Sequence, residues 1–393
     1  MPRFSPSPHL ARWGVALNFM TNGLMMHLVP RLPEIKQNFG LSEGYYGLVV
    51  AAMGFGAISA GPLPARLISR FGPLRVGLVT TWTAAIFLAV AGFAGTPVLF
   101  AAAYFLVGFL DASIDAAQNT QGVQVENWTG RTIINSLHGT WSVGAIIAGG
   151  IGAACAGLGV PIRWQALGMS ILIAVLALFC YRMGHIPTDV AKRLQQAKAD
   201  QDRRAHPNWR RLLPAIPLAL IGLAGVLPED VTHNWGAVYL VSEFDLPFAT
   251  AGLAMVVMLA MQIIGRFTAD GLTERFGAWQ LATVGGLLVG SGGLLMVSAP
   301  HPALVYLGLA LMGYGCASLV PTAYAAAGRI PGVASGTGIT VVSFAMRITF
   351  TFSSPFIGGA AELFGLRIAL LVAAVAGLTA AALCWRARVR SAA

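Results

Sequence analysis

Long apolar runs of similar length occupy most of this 393-residue chain. Nearly every run approaches the roughly 20 residues that a helix needs to cross about 30 Å of hydrocarbon. The alternating pattern of barrel strands is absent, which leaves helices as the structures that can pair their backbone groups inside a membrane. The sequence therefore predicts an all-α membrane protein with twelve transmembrane helices. These spans are predicted at residues 11–30, 45–64, 76–95, 98–121, 134–158, 164–183, 214–240, 249–269, 280–299, 303–326, 334–357 and 366–385.

Charged residues make up only 10% of the chain, and hydrophobic residues make up 56%. A soluble domain carries about 25% charged residues, so this chain has too few charges to cover a surface in water. The longest polar stretch has six predicted spans before it and six after it. We therefore predict a first half at 1–183, a cytoplasmic linker at 184–213 and a second half at 214–393.

The net charge of +10 is distributed unevenly along the chain. If the amino terminus is cytoplasmic, twenty of the 25 Lys and Arg residues fall in cytoplasmic segments. Arg31, Lys36, Arg163 and Arg367 fall on the opposite side, and Arg347 lies inside a span. This pattern follows the positive-inside rule, so the positive charge indicates orientation rather than nucleic-acid binding. We predict a multi-pass protein of the bacterial inner membrane with both termini in the cytoplasm.

A short basic turn occurs twice. Residues Leu67–Gly72 read Leu-Ile-Ser-Arg-Phe-Gly, and residues Leu272–Gly277, 205 positions later, read Leu-Thr-Glu-Arg-Phe-Gly. Each copy follows the second predicted span of its half. One copy could arise by chance, but two at matched positions indicate a transporter built from two related halves.

Glycine recurs within the fifth predicted span, for example at Gly144, Gly150 and Gly152. Small residues at this spacing let two helix backbones approach each other closely in a membrane. We therefore expect the fifth span to pack tightly against a neighbouring helix.

The fourth predicted span carries polar residues on one face. Asp111, Asp115, Gln118 and Glu126 are separated by helical steps, and Asp111 lies near the middle of the membrane. A carboxylate there is costly and should face a bundle interior or a wet cavity. We predict that Asp111 and Asp115 couple transport to protons and that Gln118 binds solute. The alternative is a structural salt bridge or a helix–helix hydrogen bond, and for Glu126 we expect an interfacial ion pair with Arg131.

Pro228 interrupts the seventh predicted span, and Glu229, Asp230 and His233 follow it directly. Proline bends a helix and frees a backbone carbonyl, and broken helices near the midplane often form transporter sites. We predict that Glu229 couples to protons and that Asp230 and His233 bind solute. The alternative is that the span ends early and these residues line an outer vestibule.

Four more polar residues inside spans are candidates for solute binding. Asn18, Asn22 and Tyr324 could donate or accept hydrogen bonds, although each could equally join two helices. Arg347 is a cation near the middle of a span and needs an acidic or carbonyl partner. A structural bridge and a contact to an anionic solute remain open for it. His27 is expected to be a packing residue with its hydrogen bonds satisfied.

The sequence contains no nucleotide-binding loop of the Gly-x-x-x-x-Gly-Lys-Ser/Thr type, no metal-ligand cluster and no nucleophile motif. We therefore predict a protein that is not an enzyme and needs no cofactor or metal. Its energy would come from a gradient, or transport would be passive. The alternative class is a membrane-embedded enzyme or sensor that uses His138 and an acid.

In its twelve spans, six-plus-six division and repeated turn, the chain resembles the major facilitator superfamily. In the family's cytoplasmic loop motif an acid precedes the arginine; Glu274 matches that acid, whereas Ser69 replaces it in the first copy. The resemblance implies two six-helix halves related by a pseudo-two-fold axis, with the two turns acting in gating. The gating residues it implies are Arg70, Gly72, Glu274, Arg275 and Gly277.

A narrower resemblance covers nearly the whole chain. It is carried by the segments Leu32–Ile35, Gly122–Glu126, Gly130–Arg131, Leu137–Gly139, Trp235–Leu240, Ala327–Arg329 and Pro355–Gly358. Together they are similar to the MosC-like branch of bacterial inner-membrane transporters, near the fucose and glucose permeases. In that branch an acid commonly opens the broken seventh span, as Glu229 does here. The sugar permeases imply proton symport through acids in spans one and four, and the absence of an acid in span one leaves coupling to span four or seven.

The resulting expectation is a monomeric secondary active transporter in the lipid bilayer. It would move a small polar solute, such as a sugar, cyclitol or related metabolite, by proton symport with alternating access. The alternative is a proton-coupled exporter of drugs or amphipathic metabolites.

Overall fold

The computed structural model describes residues 7–130, 133–187, 213–330 and 335–392, and every regular element in these ranges is helical. Contacts between residues divide the described chain into two compact units. The first contains the residues up to Arg31 and those from Ala52 to 187; the second contains Leu32–Ala51 and the residues from 213 onward. The division at 1–183, 184–213 and 214–393 stays a prediction from the sequence.

Helices follow one another with short connections. The helices before residue 187 are α1 (Pro8–Leu24), α2 (Leu32–Asn38), α3 (Glu43–Ser59), α4 (Leu63–Phe71), α5 (Pro73–Gly92), α6 (Pro97–Thr129), α7 (Ile134–Gly157) and α8 (Ile162–Met183). Those after residue 213 are α9 (Ala215–Val231), α10 (Ala237–Phe244), α11 (Phe248–Ala251), α12 (Leu253–Phe276), α13 (Ala278–Ser298), α14 (Pro302–Cys316), α15 (Leu319–Ala327), α16 (Ser335–Phe364), α17 (Leu366–Ala369) and α18 (Leu371–Ala392). A 3₁₀ segment, Met25–Arg31, continues α1, and a π-helical turn, Thr232–Gly236, joins α9 to α10.

The spans predicted from hydropathy correspond to these helices. Within the described ranges, ten helices are long and apolar enough to cross a membrane, and there are eleven if the bent pair α3–α4 is one span. The remaining predicted span, at 11–30, corresponds to α1, which has 17 residues, and to the 3₁₀ segment after it. The all-helical membrane fold is therefore confirmed.

The second predicted span differs in detail from the structure. The sequence extends it to residue 64, but α3 ends at Ser59 and α4 leaves at an angle of 55°. Gly61 adopts a positive φ of 46°, which ends the helical path. Pro62 and Pro64 then lack the N–H groups that would extend the α3 hydrogen-bond ladder.

Three helices begin with a similar capping arrangement. Ser7 accepts a hydrogen bond from Leu10 N (3.2 Å), and Thr96 accepts one from Leu99 N (3.3 Å). At the third helix His301 Nδ1 accepts a hydrogen bond from Ala303 N (3.2 Å), two residues on instead of three. Each cap is followed by a proline, whose fixed φ suits the first helical position and whose missing N–H would have had no partner there.

The repeated Arg-Phe-Gly turn has the same local geometry in both copies. Gly72 has φ 79° and ψ 153°, and Gly277 has φ 83° and ψ 147°, a conformation that suits glycine because it has no Cβ. In each copy the arginine guanidinium lies 5.2 Å from the centroid of the following phenylalanine ring. The turns differ in what precedes them, because the first ends the short helix α4 and the second ends the 24-residue helix α12.

Helix α7 packs closely against α1 and the 3₁₀ segment. A Cβ atom placed on Gly144 would collide with the carbonyl oxygen of Met20, and one on Gly152 would lie 2.7 Å from the carbonyl oxygen of His27. Gly150 differs from our expectation, because a Cβ there would meet nothing within 4 Å. Close packing in this span thus depends on particular glycines rather than on glycine content.

We predict that Gly144→Ala lowers the stability of the protein by about 1–3 kcal/mol, because the added methyl group forces α1 and α7 apart. Gly150→Ala on the same helix should be neutral or stabilising by up to about 1 kcal/mol, because alanine has the higher helix propensity. Thermal unfolding of the detergent-solubilised variants measures both effects. Equal shifts for the two variants would contradict the packing described for α7.

Candidate functional site

The seventh predicted span is interrupted by a π-helical turn. Helix α9 contains Pro228 near its end and stops at Val231, and the chain continues through the turn into α10. Thr232 Oγ1 donates a hydrogen bond of 2.8 Å to the carbonyl oxygen of Pro228. Single π-helical turns inside α-helices are found frequently at functional sites. The interruption therefore marks this region as the candidate site of the second unit.

Asp230 lies in the last turn of α9 and is only 4% exposed. Ser353 Oγ, from α16, donates a hydrogen bond to Oδ2 of Asp230. Asn234 Nδ2, from the π-helical turn, donates one of 2.9 Å to Oδ1. A carboxylate buried in a membrane helix is costly unless it accepts hydrogen bonds. These two donors, one local and one distant in sequence, allow Asp230 to be buried.

Glu229 is more accessible than Asp230 and has different partners. It is half-buried, and its Oε2 accepts a hydrogen bond of 2.9 Å from Gln262 Nε2, on α12. Gln262 Nε2 also contacts Cys316 Sγ at 3.3 Å. The Oε1 atom of Gln262 and the Nε2 atom of His233 are buried without a hydrogen-bond partner among the described residues. Buried polar groups are normally paired, so these two atoms indicate that the region can bind a polar ligand.

Trp235 and Tyr46 complete this arrangement. Trp235 is fully buried in the π-helical turn, and its Nε1 donates a hydrogen bond of 3.2 Å to Ser354 Oγ. The Tyr46 ring meets the Trp235 ring edge-on, with centroids 5.0 Å apart. The Tyr46 hydroxyl donates to the backbone carbonyl of Asn234. No local sequence pattern marks Tyr46, Ser353 or Ser354, because their roles depend on contacts between distant segments.

The predicted residues of the fourth span lie on α6 in the first unit. Asp115 Oδ1 accepts a hydrogen bond of 2.8 Å from Asn119 Nδ2, and Asp111 is half-buried. Gln118 is 2% exposed, and its Oε1 has no hydrogen-bond partner among the described residues. On α1, the Oδ1 atom of Asn22 is buried in the same way. The buried side chain of Asn18 lies one helical turn before it.

Glu126 accepts hydrogen bonds from the backbone at the start of the next helix. Its Oε2 accepts hydrogen bonds from the backbone N–H groups of Ile133 (2.8 Å) and Ile134 (3.2 Å), where α7 begins. A carboxylate at this position pairs amides that the helix leaves unpaired and complements the helix dipole. Arg131, the partner expected from the sequence, lies outside the described residues.

The other predicted residues are placed as follows. The Tyr324 hydroxyl lies 3.0 Å from Ser343 Oγ, which links α15 to α16. Arg347 is exposed on α16, and its carbonyl oxygen accepts a hydrogen bond from Thr351. The turn residues Arg70, Glu274 and Arg275 are exposed at the ends of α4 and α12, with Gly72 and Gly277 next to them. The structure thus brings Glu229, Asp230 and His233 into one region and leaves the turns as separate features.

His27 is buried as expected, but the prediction that its hydrogen bonds are satisfied is wrong. It is fully buried, and neither ring nitrogen has a hydrogen-bond partner among the described residues. Its backbone carbonyl accepts a bond of 2.8 Å from Gln165 Nε2, and Gln165 Oε1 accepts one of 2.7 Å from Arg31 Nη1. Arg31 also donates to the carbonyl of Val160 and is 1% exposed. Sequence reasoning treated Arg31 as a loop charge, because local hydropathy does not show that folding buries it.

The family model for the Major Facilitator Superfamily matches residues 13–227 and 223–393. The chain belongs to this superfamily. It is 28% identical over 366 residues to an uncharacterized transporter, y4wD, of Sinorhizobium fredii, which covers 92% of this chain and 94% of the relative. It is 25% identical over 378 residues to the membrane protein MosC of Rhizobium meliloti, which covers 96% of this chain and 90% of the relative. The resemblance to the MosC-like branch is therefore confirmed.

Solved structures of this superfamily share the fold. A nucleoside transporter, NupG, aligns with a TM-score of 0.70 and 16% identity over 96% of this chain and 98% of that chain. A D-xylose-proton symporter aligns with a TM-score of 0.71 and 16% identity over 96% of each chain. The protein is thus a multi-pass membrane transporter of the major facilitator fold and not an enzyme. No group of three or more His, Cys, Asp or Glu residues in the described part of the chain could hold a metal ion.

We predict that Ser353→Ala lowers the stability of this transporter by about 1–3 kcal/mol, because it leaves a buried oxygen of Asp230 without its hydrogen-bond donor. Thr351→Val is the matched control, since Thr351 is buried on the same helix and its hydroxyl donates only to the carbonyl of Arg347. Thermal unfolding in detergent should show a clearly larger loss for Ser353→Ala. If both variants lose the same amount, the Ser353–Asp230 contact does not stabilise the site.

Proposed function

We propose that this protein takes up a small polar solute by proton symport across the bacterial inner membrane. It would act as a monomer with both termini in the cytoplasm. The observation that carries the proposal is the half-buried carboxylate of Glu229 in a π-interrupted helix that also holds buried polar atoms without partners. A membrane carboxylate with partial access to water can gain and lose a proton during transport. Asp111 and Asp115 are the second candidates for the same step.

The roles of Glu229 and Asp230 differ in this proposal. Both oxygens of Asp230 already accept hydrogen bonds within the protein, whereas Glu229 has one donor among the bonds described above. Glu229 therefore exchanges the proton, and Asp230 holds the π-helical turn in place. Gln262 Oε1 accepts a hydrogen bond from the solute, and His233 Nε2 donates or accepts one.

The solute that fits these groups carries several hydroxyl groups. The hydroxyl groups of a sugar or cyclitol can donate hydrogen bonds to Glu229 and Gln262 and accept one from His233. A solute with such hydroxyl groups can make these bonds without carrying a charge. Nucleosides carry the same hydroxyl chemistry on their ribose, and one structural neighbour is a nucleoside transporter. Further residues are proposed for solute binding within each unit: Asn18, Asn22 and Gln118 in the first, and Tyr324 and Arg347 in the second.

Proteoliposomes with an entrapped pH indicator test the proposal. A panel of sugars, cyclitols, nucleosides and amphipathic drugs is added outside, and a transported solute should acidify the lumen. Glu229→Gln should reduce this signal at least tenfold, because an amide cannot carry the proton. Asp245→Asn is the matched control: Asp245 is exposed, lies beyond α10 and has a φ of 52°, which asparagine tolerates. Solute uptake without acidification, or a full signal from Glu229→Gln, would contradict the proposal.

The same assay separates the fourth span from the seventh. If α6 carries the proton instead, Asp111→Asn or Asp115→Asn should abolish acidification while Glu229→Gln retains it. We expect the reverse order, with the α6 variants altering the apparent affinity for solute. Lumen alkalinisation on addition of a drug would indicate the exporter alternative.

A further inference from the structure

The segment Leu32–Ala51 precedes most of the first unit in sequence but makes its contacts within the second unit. It contains α2 and the first turns of α3, which are joined by an ion pair of 2.9 Å between Lys36 and Glu43. This 32–51 segment is therefore a helical segment that packs within the unit containing the candidate site.

The first docking contact is a direct backbone approach between α3 and α16. A Cβ atom on Gly47 would collide with the carbonyl oxygen of Ser354, and one on Gly358 would lie 2.6 Å from the carbonyl oxygen of Glu43. The backbone N–H of Gly44 donates a hydrogen bond of 3.0 Å to Glu362 Oε1. A carboxylate at the start of α3 also complements the helix dipole. The segment is thus seated on the same helix that supplies Ser353 to Asp230.

The second docking contact is Tyr46, whose side chain is 1% exposed. Its hydroxyl donates to the Asn234 carbonyl, and the amide of Asn234 donates to Asp230. Its ring meets Trp235, which donates to Ser354, the residue after Ser353. Two routes of direct contact therefore connect Tyr46 to the two donors of the Asp230 carboxylate.

We propose that Tyr46 is a positioning residue that couples the docking of the 32–51 segment to the hydrogen bonds that hold the Asp230 carboxylate, next to Glu229. Hydrogen bonds to an ionised carboxylate are roughly twice as strong as neutral ones. Neutralising Asp230 weakens the hydrogen bonds that it accepts from Asn234 and Ser353. The contacts that Tyr46 makes with Asn234 and Trp235 are weakened with them. By linkage, releasing Tyr46 must loosen Asp230 to the same extent. The inference rests on the proposed function only in treating release of the segment as a step of transport.

Several titratable and charged groups lie on the elements that meet at Asp230. They include Glu229 and His233 on the broken helix, Arg266 on α12, Arg347 and Glu362 on α16, Cys316 on α14, Tyr324 on α15, and Glu34, Lys36, Glu43, Tyr45 and Tyr46 on the 32–51 segment. Substituting Asp230 itself, rather than changing the pH, isolates its contribution from theirs.

Tyr46 could instead be a simple packing residue. Tyr46→Phe keeps the ring and its contact with Trp235 but removes the hydroxyl, so a packing role predicts no effect. Tyr45→Phe is the matched control, because Tyr45 is the adjacent residue of the same helix and is 42% exposed.

Cysteine labelling measures the docking of the segment without any knowledge of the solute. Val50 is 4% exposed within the segment and becomes the probe position through Val50→Cys. The background carries Cys155→Ser, since the other three cysteines, Cys180, Cys316 and Cys384, are buried. Labelling by a maleimide is followed in lipid nanodiscs, with monodispersity on gel filtration as the check on folding.

We expect Tyr46→Phe to raise the labelling rate at position 50 about fivefold, the effect of one lost hydrogen bond. Tyr45→Phe should leave the rate unchanged. Asp230→Asn should raise it similarly, and Ser353→Ala provides the same test if Asp230→Asn fails to fold. Asp230→Asn and Tyr46→Phe break the same hydrogen-bond network. The double variant that carries both should therefore label much more slowly than the product of the two single effects predicts.

Equal labelling of Tyr46→Phe and Tyr45→Phe would overturn the inference, and so would fully multiplicative effects in the double variant. Its failure is distinguishable from failure of the proposed function. Uncoupled labelling together with an intact, Glu229-dependent acidification signal would refute only the role of Tyr46. Coupled labelling without any acidification would refute only proton symport.

Discussion

The need to pair every backbone polar group inside hydrocarbon governs this structure. An unpaired group there costs several kcal/mol, so membrane-crossing segments form helices that satisfy their own hydrogen bonds. Interruptions persist only where something else accounts for the lost pairing. At the π-helical turn, Thr232 bonds to the carbonyl of Pro228, and Tyr46 bonds to the carbonyl of Asn234. The broken helix is thus held by side chains from its own turn and from a segment far away in sequence.

The same constraint sorts the buried polar side chains into two groups. Each carboxylate oxygen of Asp230 accepts a hydrogen bond, and Gln165 Oε1 accepts one from Arg31. Side chains paired in this way stabilise the fold. One buried atom in each of three other side chains, Gln118 Oε1, His233 Nε2 and Gln262 Oε1, has no hydrogen-bond partner among the described residues. A buried polar atom without a partner in the protein is a place for water or a ligand. This contrast is why we assign solute binding to the second group and support of the turn to Asp230.

The two copies of the Arg-Phe-Gly turn share their local geometry but differ in the helices that precede them. Both Arg-Phe-Gly turns place the guanidinium 5.2 Å from the ring centroid and end in a glycine with nearly the same φ and ψ. Ser69 and Glu274, which occupy the same position in the two copies, are both exposed, and Ser69 donates a hydrogen bond to the carbonyl of Arg66, two residues after Pro64. The local sequence therefore determines the conformation of the turn, and the preceding residues determine the length of the helix that the turn ends.

The helical spans, the repeated turns and the polar faces of α6 and α9 can be read from local sequence, because hydropathy, helical periodicity and the conformational preferences of glycine and proline act over a few residues. Local sequence predicted Glu229, Asp230 and His233 as candidates for the same reason. The folded chain alone decided that Ser353 bonds to Asp230 across 123 positions and that Tyr46 bonds to Asn234 across 188. It also decided that α3 ends at Ser59 and that Arg31 is buried. Such contacts depend on which helix faces pack together, and a one-dimensional pattern does not specify that pairing.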